Sequence, residues 1–244
     1  MSEKRVIAIV GPTASGKTAL GINIAKAFSG EVVSADSMQI YNNMPIASAA
    51  PNEKETKGIK HHLVGFAEPS KKFSVAEFIK LAKASIEDIS KRNKLPIIVG
   101  GTGLYIDSLL SGICFDDEES EAVRKDLETE ADEKGTEVLF ERLKSVDPKS
   151  AEKLHINDRK RIIRALEIFE IHGKTKTELN ELSKLEGSPY EVLWIGITYR
   201  DRERLYERIN KRVDVMLENG LLFEAENAFN RLNSGTSVQE IGHK

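Results

Sequence analysis

Short apolar runs recur along the first half of the chain and once near its end, at Val6–Val10, Val32–Ala35, Leu63–Phe66, Leu95–Val99 and Val192–Ile197. Amphipathic helical patterns separate several of them, the alternation that builds a parallel sheet with helices packed on its faces. The stretch SVAEFIKLAKASIEDISKRNK opens with Ser74 and Glu77 at capping-box spacing and carries Phe78, Ile79, Ala82, Ile86 and Ile89 along one face. That pattern predicts a crossover helix leading into the strand at Leu95. From Asp116 to about Gly187 the strand pattern disappears, and the text is charged and helical, broken at Gly135, Asp147-Pro148 and Gly173. The expectation is an α/β fold, a P-loop NTPase-like parallel sheet flanked by helices, with a helical insertion domain. Its parts are a core over residues 1–115, the insertion over 116–187, and a return strand with closing helices over 188–244.

Composition narrows the class. The chain has 244 residues, of which 40% are hydrophobic, enough for a substantial core. Lys and Arg total 36 against 39 Asp and Glu, a net charge of −3, so any polyanion must be met by a local patch rather than by the protein's overall field. The single Cys114 rules out an internal disulfide and suits a reducing cytoplasm. The first apolar run, Val6 to Val10, is too short for a signal peptide or a membrane span, so no membrane partner is expected.

Candidate chemistry starts at IVGPTASGKTAL. Gly11, four residues, then Gly16-Lys17-Thr18 is the full phosphate-loop spacing, and it follows an apolar run as that motif requires. The residues Gly11, Pro12, Thr13, Ala14, Ser15, Gly16, Lys17 and Thr18 are expected to wrap backbone N–H groups round phosphate oxygens. Lys17 adds a point charge, and Thr18 offers its hydroxyl to Mg2+. In SADSMQIY, Asp36 falls just past the end of a strand expected beside the first, where open α/β sheets hold ligands. Position alone leaves two roles open for it, an acid–base group or a cap and metal ligand. In IIVGGTGLYI a second glycine turn is expected to face the first, with Thr102 as a hydroxyl donor to an anion. Leu95–Val99 runs into Gly100 and not into the aspartate that nucleotide hydrolysis usually needs.

Two basic helical segments follow. In HINDRKRIIRALEIF the cations Arg159, Lys160, Arg161 and Arg164 crowd a helix start, which is unfavourable unless an anion is near. The apolar face there is Ile162, Ile163, Leu166 and Phe169. In RDRERLYERINKRVDVMLENG, Arg204, Arg208 and Arg212 recur every four residues beside Leu205, Ile209, Val213 and Met216. Glu203 and Glu207 are expected to pair with most of that series inside the helix, leaving Arg212 to reach a ligand. Adjacent His61 and His62 should point to opposite sides of an extended segment, which argues for structural roles.

Together these pieces resemble the tRNA dimethylallyltransferases, also called isopentenyl-diphosphate:tRNA transferases. The resemblance rests on GPTASGKTAL, SADSMQIY, HHLVGFAEP, FSVAEF, VGGTGLYIDSLLSG, VDPKSAEKLHINDRKRIIRALEIFEIHGKT and RINKRVDVMLENGL, in order along nearly the whole chain. It implies transfer of a dimethylallyl group from its diphosphate to the N6 amine of the adenosine 3′ of the anticodon, in tRNAs reading codons that begin with U. The phosphate loop would then hold the diphosphate of dimethylallyl diphosphate. The resemblance makes Asp36 the general base and gives Thr102 and Arg212 catalytic roles at the leaving diphosphate. Contacts to the anticodon stem-loop of tRNA would come from Asp36, Ser37, Met38, Gln39, Thr102, Arg124, Lys160, Arg161, Ile162, Ile163, Arg164, Gln239 and Lys244. A monomer is expected. Departures from the family text are Ala50 in place of a lysine, with a hydroxyl kept at Ser48, and His243 in place of a tyrosine. The chain given ends at Lys244, where the family continues with further helices. Two other readings share these motifs, a prenyltransferase acting on free adenine nucleotides and an inactive RNA- or nucleotide-binding relative.

Overall fold

The computed structural model describes residues 4–71, 73–111 and 121–233. Contacts divide the chain into two units, Met1–Leu110 with Pro189–Lys244, and Ser111–Ser188. The first runs β1 (Lys4–Val10), α1 (Lys17–Ala27), β2 (Gly30–Ser34), α2 (Glu53–Thr56), β3 (His61–His62), α3 (Val75–Lys91), β4 (Leu95–Gly100) and α4 (Gly103–Leu110). The second holds α5 (Glu121–Lys134), α6 (Thr136–Val146), α7 (Pro148–Ala151), α8 (Arg159–His172) and α9 (Lys176–Glu186). The chain then returns to the first unit as β5 (Tyr190–Gly196), α10 (Arg202–Glu218) and α11 (Leu221–Asn233).

The five strands form one parallel sheet in the order β3-β2-β4-β1-β5. β2 does not lie beside β1, as the sequence suggested; β4 separates them, pairing Ile97 with both Ile7 and Val32. The central position suits β4, whose residues Pro96 to Gly100 are all buried. The expected strand at Leu63–Phe66 is replaced by the two-residue β3 just before it, because Leu63 and Gly65 both take positive φ (61° and 62°) and turn the chain away. α3 forms as its pattern predicts. Ser74 accepts from the Glu77 N–H at 3.1 Å, Glu77 accepts from the Ser74 N–H at 2.7 Å, and the five apolar positions of its face are its buried residues. Such a reciprocal cap satisfies two N–H groups that the first helical turn leaves open.

Glu31 carries a charge into the core of the first unit. Glu31 on β2 is 2% exposed and accepts from Arg92 Nη2 at 2.6 Å and from Lys94 and His62 at 2.8 Å. The Arg92 hydrogen bond holds its carboxyl far below the usual carboxylate range against the opposing effect of burial, with Lys94 and His62 adding to it. His62 is therefore a structural partner. His61 points to the other side of the strand, where Nδ1 lies 2.9 Å from the Ile59 carbonyl.

The helical unit has its own core, Leu127, Ala131, Leu139, Leu143, Ala151, Ile162, Ile163, Ala165 and Leu166. Its breaks form where punctuation residues stand. Gly135 precedes α6 with φ +87°, Asp147 caps α7 with Pro148 in its first turn, and Gly173 closes α8 in the left-handed conformation.

Candidate functional site

The carboxyl ends of β1, β2 and β4 carry the loops that the sequence singled out. The phosphate loop needs two unusual backbone positions. Gly11 has φ +157° and a Cβ there would lie 2.6 Å from the Ile197 carbonyl oxygen, while Gly16 precedes α1 with φ +97°. Ala14 also has positive φ, 60°, a conformation that costs an alanine about 1–2 kcal/mol. Lys17 Nζ donates to the carbonyls of Gly11 at 2.9 Å and Pro12 at 2.7 Å, which aims the ammonium across the mouth of the loop. Burial lowers the Lys17 pKa, Asp36 opposes that shift, and Arg212 adds to it.

The second glycine turn does face the first. A Cβ on Gly101 would come within 3.8 Å of the Gly11 carbonyl oxygen and 3.9 Å of Lys17 Nζ, and one on Gly100 would strike the Ala35 carbonyl at 2.1 Å. Glycine at 100 is thus a requirement of close packing between β4 and the end of β2. Thr102 clamps the loop after β2, since its Oγ1 accepts from the Ser37 N–H at 3.1 Å and its own N–H donates to the Ala35 carbonyl at 3.3 Å. Asp36 lies in that loop. Its Oδ1 accepts from the N–H groups of Met38 at 2.9 Å and Gln39 at 3.3 Å, so the cap read from position is formed by one oxygen. Oδ2 makes no hydrogen bond among the described residues.

A cavity of about 320 Å³ joins these groups. Its lining mixes charged and polar groups, among them Lys17, Thr18, Asp36 and Arg212, with the apolar side chains of Val32, Val99, Ile209, Val213 and Met216, and includes Ala47, Ser48 and Ala49. Ile209, Arg212, Val213 and Met216 recur at helical spacing on one face of α10, so a single helix supplies both a cation and an apolar surface. A second cavity, about 670 Å³, shares Lys17, Thr18 and Arg212 and adds Lys57, Arg208 and Lys211. An amphiphile with an anionic head and a short apolar tail matches the first cavity's two kinds of lining.

Several sequence expectations change. Glu203 and Glu207 form no ion pairs with the α10 arginines among the described residues; Arg208 Nε donates instead to the Ala14 carbonyl at 2.9 Å, tying α10 to the phosphate loop. Arg204 is 4.0 Å from Asp201. α10 has no buried residue, and Ile209, Val213 and Met216 of the stripe beside these arginines line the cavity. The Ser48 hydroxyl is used inside its own turn, donating to the Met44 carbonyl at 2.6 Å.

In the helical unit the proposed RNA contacts divide. Ile162 and Ile163 are 0% and 4% exposed in the core, so their side chains are closed to a ligand. Arg124 and Arg164 both pair with the fully buried Glu167 at 3.0 Å. Arg159 reaches Asp132 at 2.6 Å and the Glu128 carbonyl at 2.9 Å, which supplies the anion its helix start demands. Lys160 is exposed, and Arg161 is exposed with Asp158 only at 3.8 Å. Gln239, Lys244, Cys114 and His243 lie outside the described residues. No helix among the described residues is long and apolar enough to cross a membrane.

Sequence reading missed Gln39 as a loop tether, His61 as a cavity residue, and Glu224. Gln39 Nε2 donates to the carbonyls of Ser48 and Ala49 at 3.4 and 3.1 Å, and Glu224 accepts from residues 46 and 47. No sequence signal links position 224 to position 46, because the contact is made by the fold.

The IPP transferase family model matches residues 39–244. The chain is 48% identical, over 98% of its length and 78% of the relative's, to a tRNA dimethylallyltransferase of Caldanaerobacter subterraneus subsp. tengcongensis. It is 49% identical, over 98% of its length and 77% of the relative's, to one from Acetivibrio thermocellus. Among solved structures it is similar to a full-length tRNA isopentenylpyrophosphate transferase from Bacillus halodurans, with 41% identity, TM-score 0.64, and coverage of 93% of this chain and 71% of that one. It is also similar to a eukaryotic dimethylallyltransferase acting on tRNA, with 32% identity, TM-score 0.84, and coverage of 97% and 58%.

Proposed function

The chain belongs to the IPP transferase family and prenylates tRNA; from that premise we propose that it moves the dimethylallyl group of dimethylallyl diphosphate to N6 of the adenosine 3′ of the anticodon, in tRNAs that read codons beginning with U. The observation that carries this reading is the joint lining of one cavity by a phosphate loop, a carboxylate and an apolar helix face.

The exocyclic amine of adenine is a weak nucleophile because its lone pair is drawn into the ring. As its nitrogen forms a bond to the allylic carbon, the carbon–oxygen bond to the diphosphate breaks and the leaving oxygen takes that electron pair. The amine must also lose a proton. Asp36 suits that step, since two backbone N–H groups hold Oδ1 and fix the carboxylate plane while Oδ2 remains to accept. Negative charge grows on the diphosphate, and Lys17 and Arg212 face it as fixed positive groups. The Thr102 hydroxyl is engaged with Ser37, so its part is to hold the loop bearing Asp36.

Magnesium fits this site as a guest of the substrate. Among the described residues no group of three His, Cys, Asp or Glu could hold a metal by itself, whereas Thr18 lines both cavities at the phosphate loop. Mg2+ commonly binds through substrate phosphates, waters and one or two protein oxygens. When bound through the Thr18 hydroxyl it would help neutralise the diphosphate.

The acceptor base is stacked within RNA and must be turned out to reach Asp36. Lys160 and Arg161 are the exposed cations of α8 that suit phosphate contact. The experiment is to map the modified nucleotide. Unmodified tRNA incubated with the protein, Mg2+ and dimethylallyl diphosphate should gain one dimethylallyl mass on the adenosine 3′ of the anticodon, and a tRNA with guanosine there should gain none. Modification at another position would refute the acceptor assignment.

A further inference from the structure

We infer that Glu224 is a positioning residue for the donor cavity, holding the turn of residues 44–50 in the shape that the prenyl donor needs. The inference rests on the prenyl-transfer reading and adds a residue remote in sequence from the phosphate loop and from Asp36.

The turn is one helical loop of chain with both ends closed. At its far end the Ala50 N–H donates to the Pro45 carbonyl and the Ala49 N–H to the Ile46 carbonyl, both at 2.9 Å, with Ala49 left-handed at φ +48°. This is the Schellman pattern, for which glycine is the usual left-handed residue. Alanine there costs stability, and a single turn is weak in isolation. At the near end Pro45 needs no donor partner, but the next two N–H groups have no acceptor within the turn. Glu224, on α11 and 8% exposed, accepts from Ile46 at 2.9 Å through Oε2 and from Ala47 at 2.8 Å through Oε1. A carboxylate thus supplies from another element the cap that Met44 cannot. Gln39 holds the opposite end through the Ser48 and Ala49 carbonyls, while its Oε1 accepts from Ser34 Oγ at 2.9 Å.

Between these two tethers Ala47, Ser48 and Ala49 form a wall of the cavity that also holds Lys17 and Asp36. Gly220 lets α11 fold back from α10, whose Arg212 and apolar face line the same cavity, with φ +97° at the turn. The last two described helices therefore act on the cavity in two ways, α10 by lining it and α11 by fixing its wall. Burying a carboxylate is costly unless its oxygens are hydrogen-bonded, and here both bonds go to this wall.

The test reads amide hydrogen exchange and steady-state kinetics on the full chain. In Glu224→Ala, exchange at residues 46–50 should quicken at least about tenfold while β1, β2 and β4 keep wild-type rates, since two charge-assisted bonds are lost locally. The KM for dimethylallyl diphosphate should rise about tenfold, with kcat changed less than about twofold, as expected for weaker ground-state and transition-state binding alike. Glu224→Gln keeps one acceptor oxygen and should fall between. Adding Ala49→Gly to Glu224→Ala removes the left-handed strain and should restore part of both losses. Unchanged exchange at 46–50 would overturn the proposal, as would faster exchange throughout the sheet or an unmoved KM beside a loosened turn. If the wild-type protein transfers no prenyl group, the functional reading fails by itself, and the exchange data still decide whether Glu224 holds the turn.

Discussion

α8 and α10 carry similar basic series in sequence and use them differently. On α8, Arg159 is bound to Asp132 and to a backbone carbonyl, Arg164 shares buried Glu167 with Arg124, and only Lys160 and Arg161 remain exposed with little or no pairing. On α10 the acids at positions 203 and 207 leave the arginines alone; Arg208 straps the phosphate loop and Arg212 enters the cavity without an ion pair among the described residues. The spacing of cations along a helix identifies a basic face, but acids brought in by neighbouring helices decide which cations can serve a ligand. Cations held by the fold should cost stability when removed, and free ones should cost binding.

The largest expected effect lies at Asp36, the carboxylate that lines the same cavity as Arg212. Asp36→Asn keeps shape and cap but cannot take the amine proton, so single-turnover transfer should slow by about 10²- to 10⁴-fold with donor affinity nearly unchanged. If Asp36 mainly held magnesium, donor affinity would fall together with turnover, and titration with and without Mg2+ distinguishes the two outcomes.

Next comes Arg212→Ala. Loss of one charge-assisted contact to the diphosphate should weaken donor binding by roughly 10- to 100-fold in calorimetry, with the thermal midpoint little changed because the side chain is not part of a packed core. A large drop in midpoint with unaltered affinity would place Arg212 among the structural cations and break the contrast between the helices.

A paired substitution sharpens the contrast on α8 itself. Arg161→Ala should lower the slope of log affinity for tRNA against log salt by about one unit and leave stability alone. Arg164→Ala should instead destabilise the fold by roughly 1–3 kcal/mol, less than for a charge left with no partner, because Arg124 still holds Glu167. Chemical denaturation and salt-dependent tRNA binding on both variants would show whether the effects separate or change places.

The smallest effect concerns a charge cluster whose members line neither cavity. The Glu31 carboxyl is held below its ordinary 4.5 by Arg92 in the folded state, so its contribution to stability is present above the unfolded value and is lost as pH falls through the folded one. The stability advantage of wild type over Glu31→Gln should therefore be full above about pH 5 and shrink toward about pH 2. Denaturant melts across that range test it, and transfer activity at neutral pH should not follow Glu31 beyond any loss of folded protein.

Much of the fold was legible because its signals are local. The capping box at Ser74, the phosphate-loop spacing from Gly11 to Thr18, and the breaks at Gly135, Pro148 and Gly173 act within a few residues of where they stand. Strand order was not legible: nothing in Val32–Ser34 says that β4 will slip between it and β1. Leu63–Phe66 read as a strand on apolarity, and the positive φ at Leu63 defeated it. At the site, Lys17, Asp36 and Arg212 were found from motif and position, whereas the engagement of Thr102 with Ser37 and the closing of Arg124 and Arg164 on Glu167 depend on partners 43 to 65 residues away or on burial that no local pattern encodes.

Whether the phosphate loop serves prenyl transfer to tRNA is tested most directly by a competition in a single tube. Labelled dimethylallyl diphosphate, Mg2+, unmodified tRNA and AMP at equal concentration are incubated with the protein, and the products are separated by size. Label should appear in the tRNA fraction alone and fall as salt is raised. Label in AMP, or none in either acceptor while the donor still binds, would contradict that role of the loop.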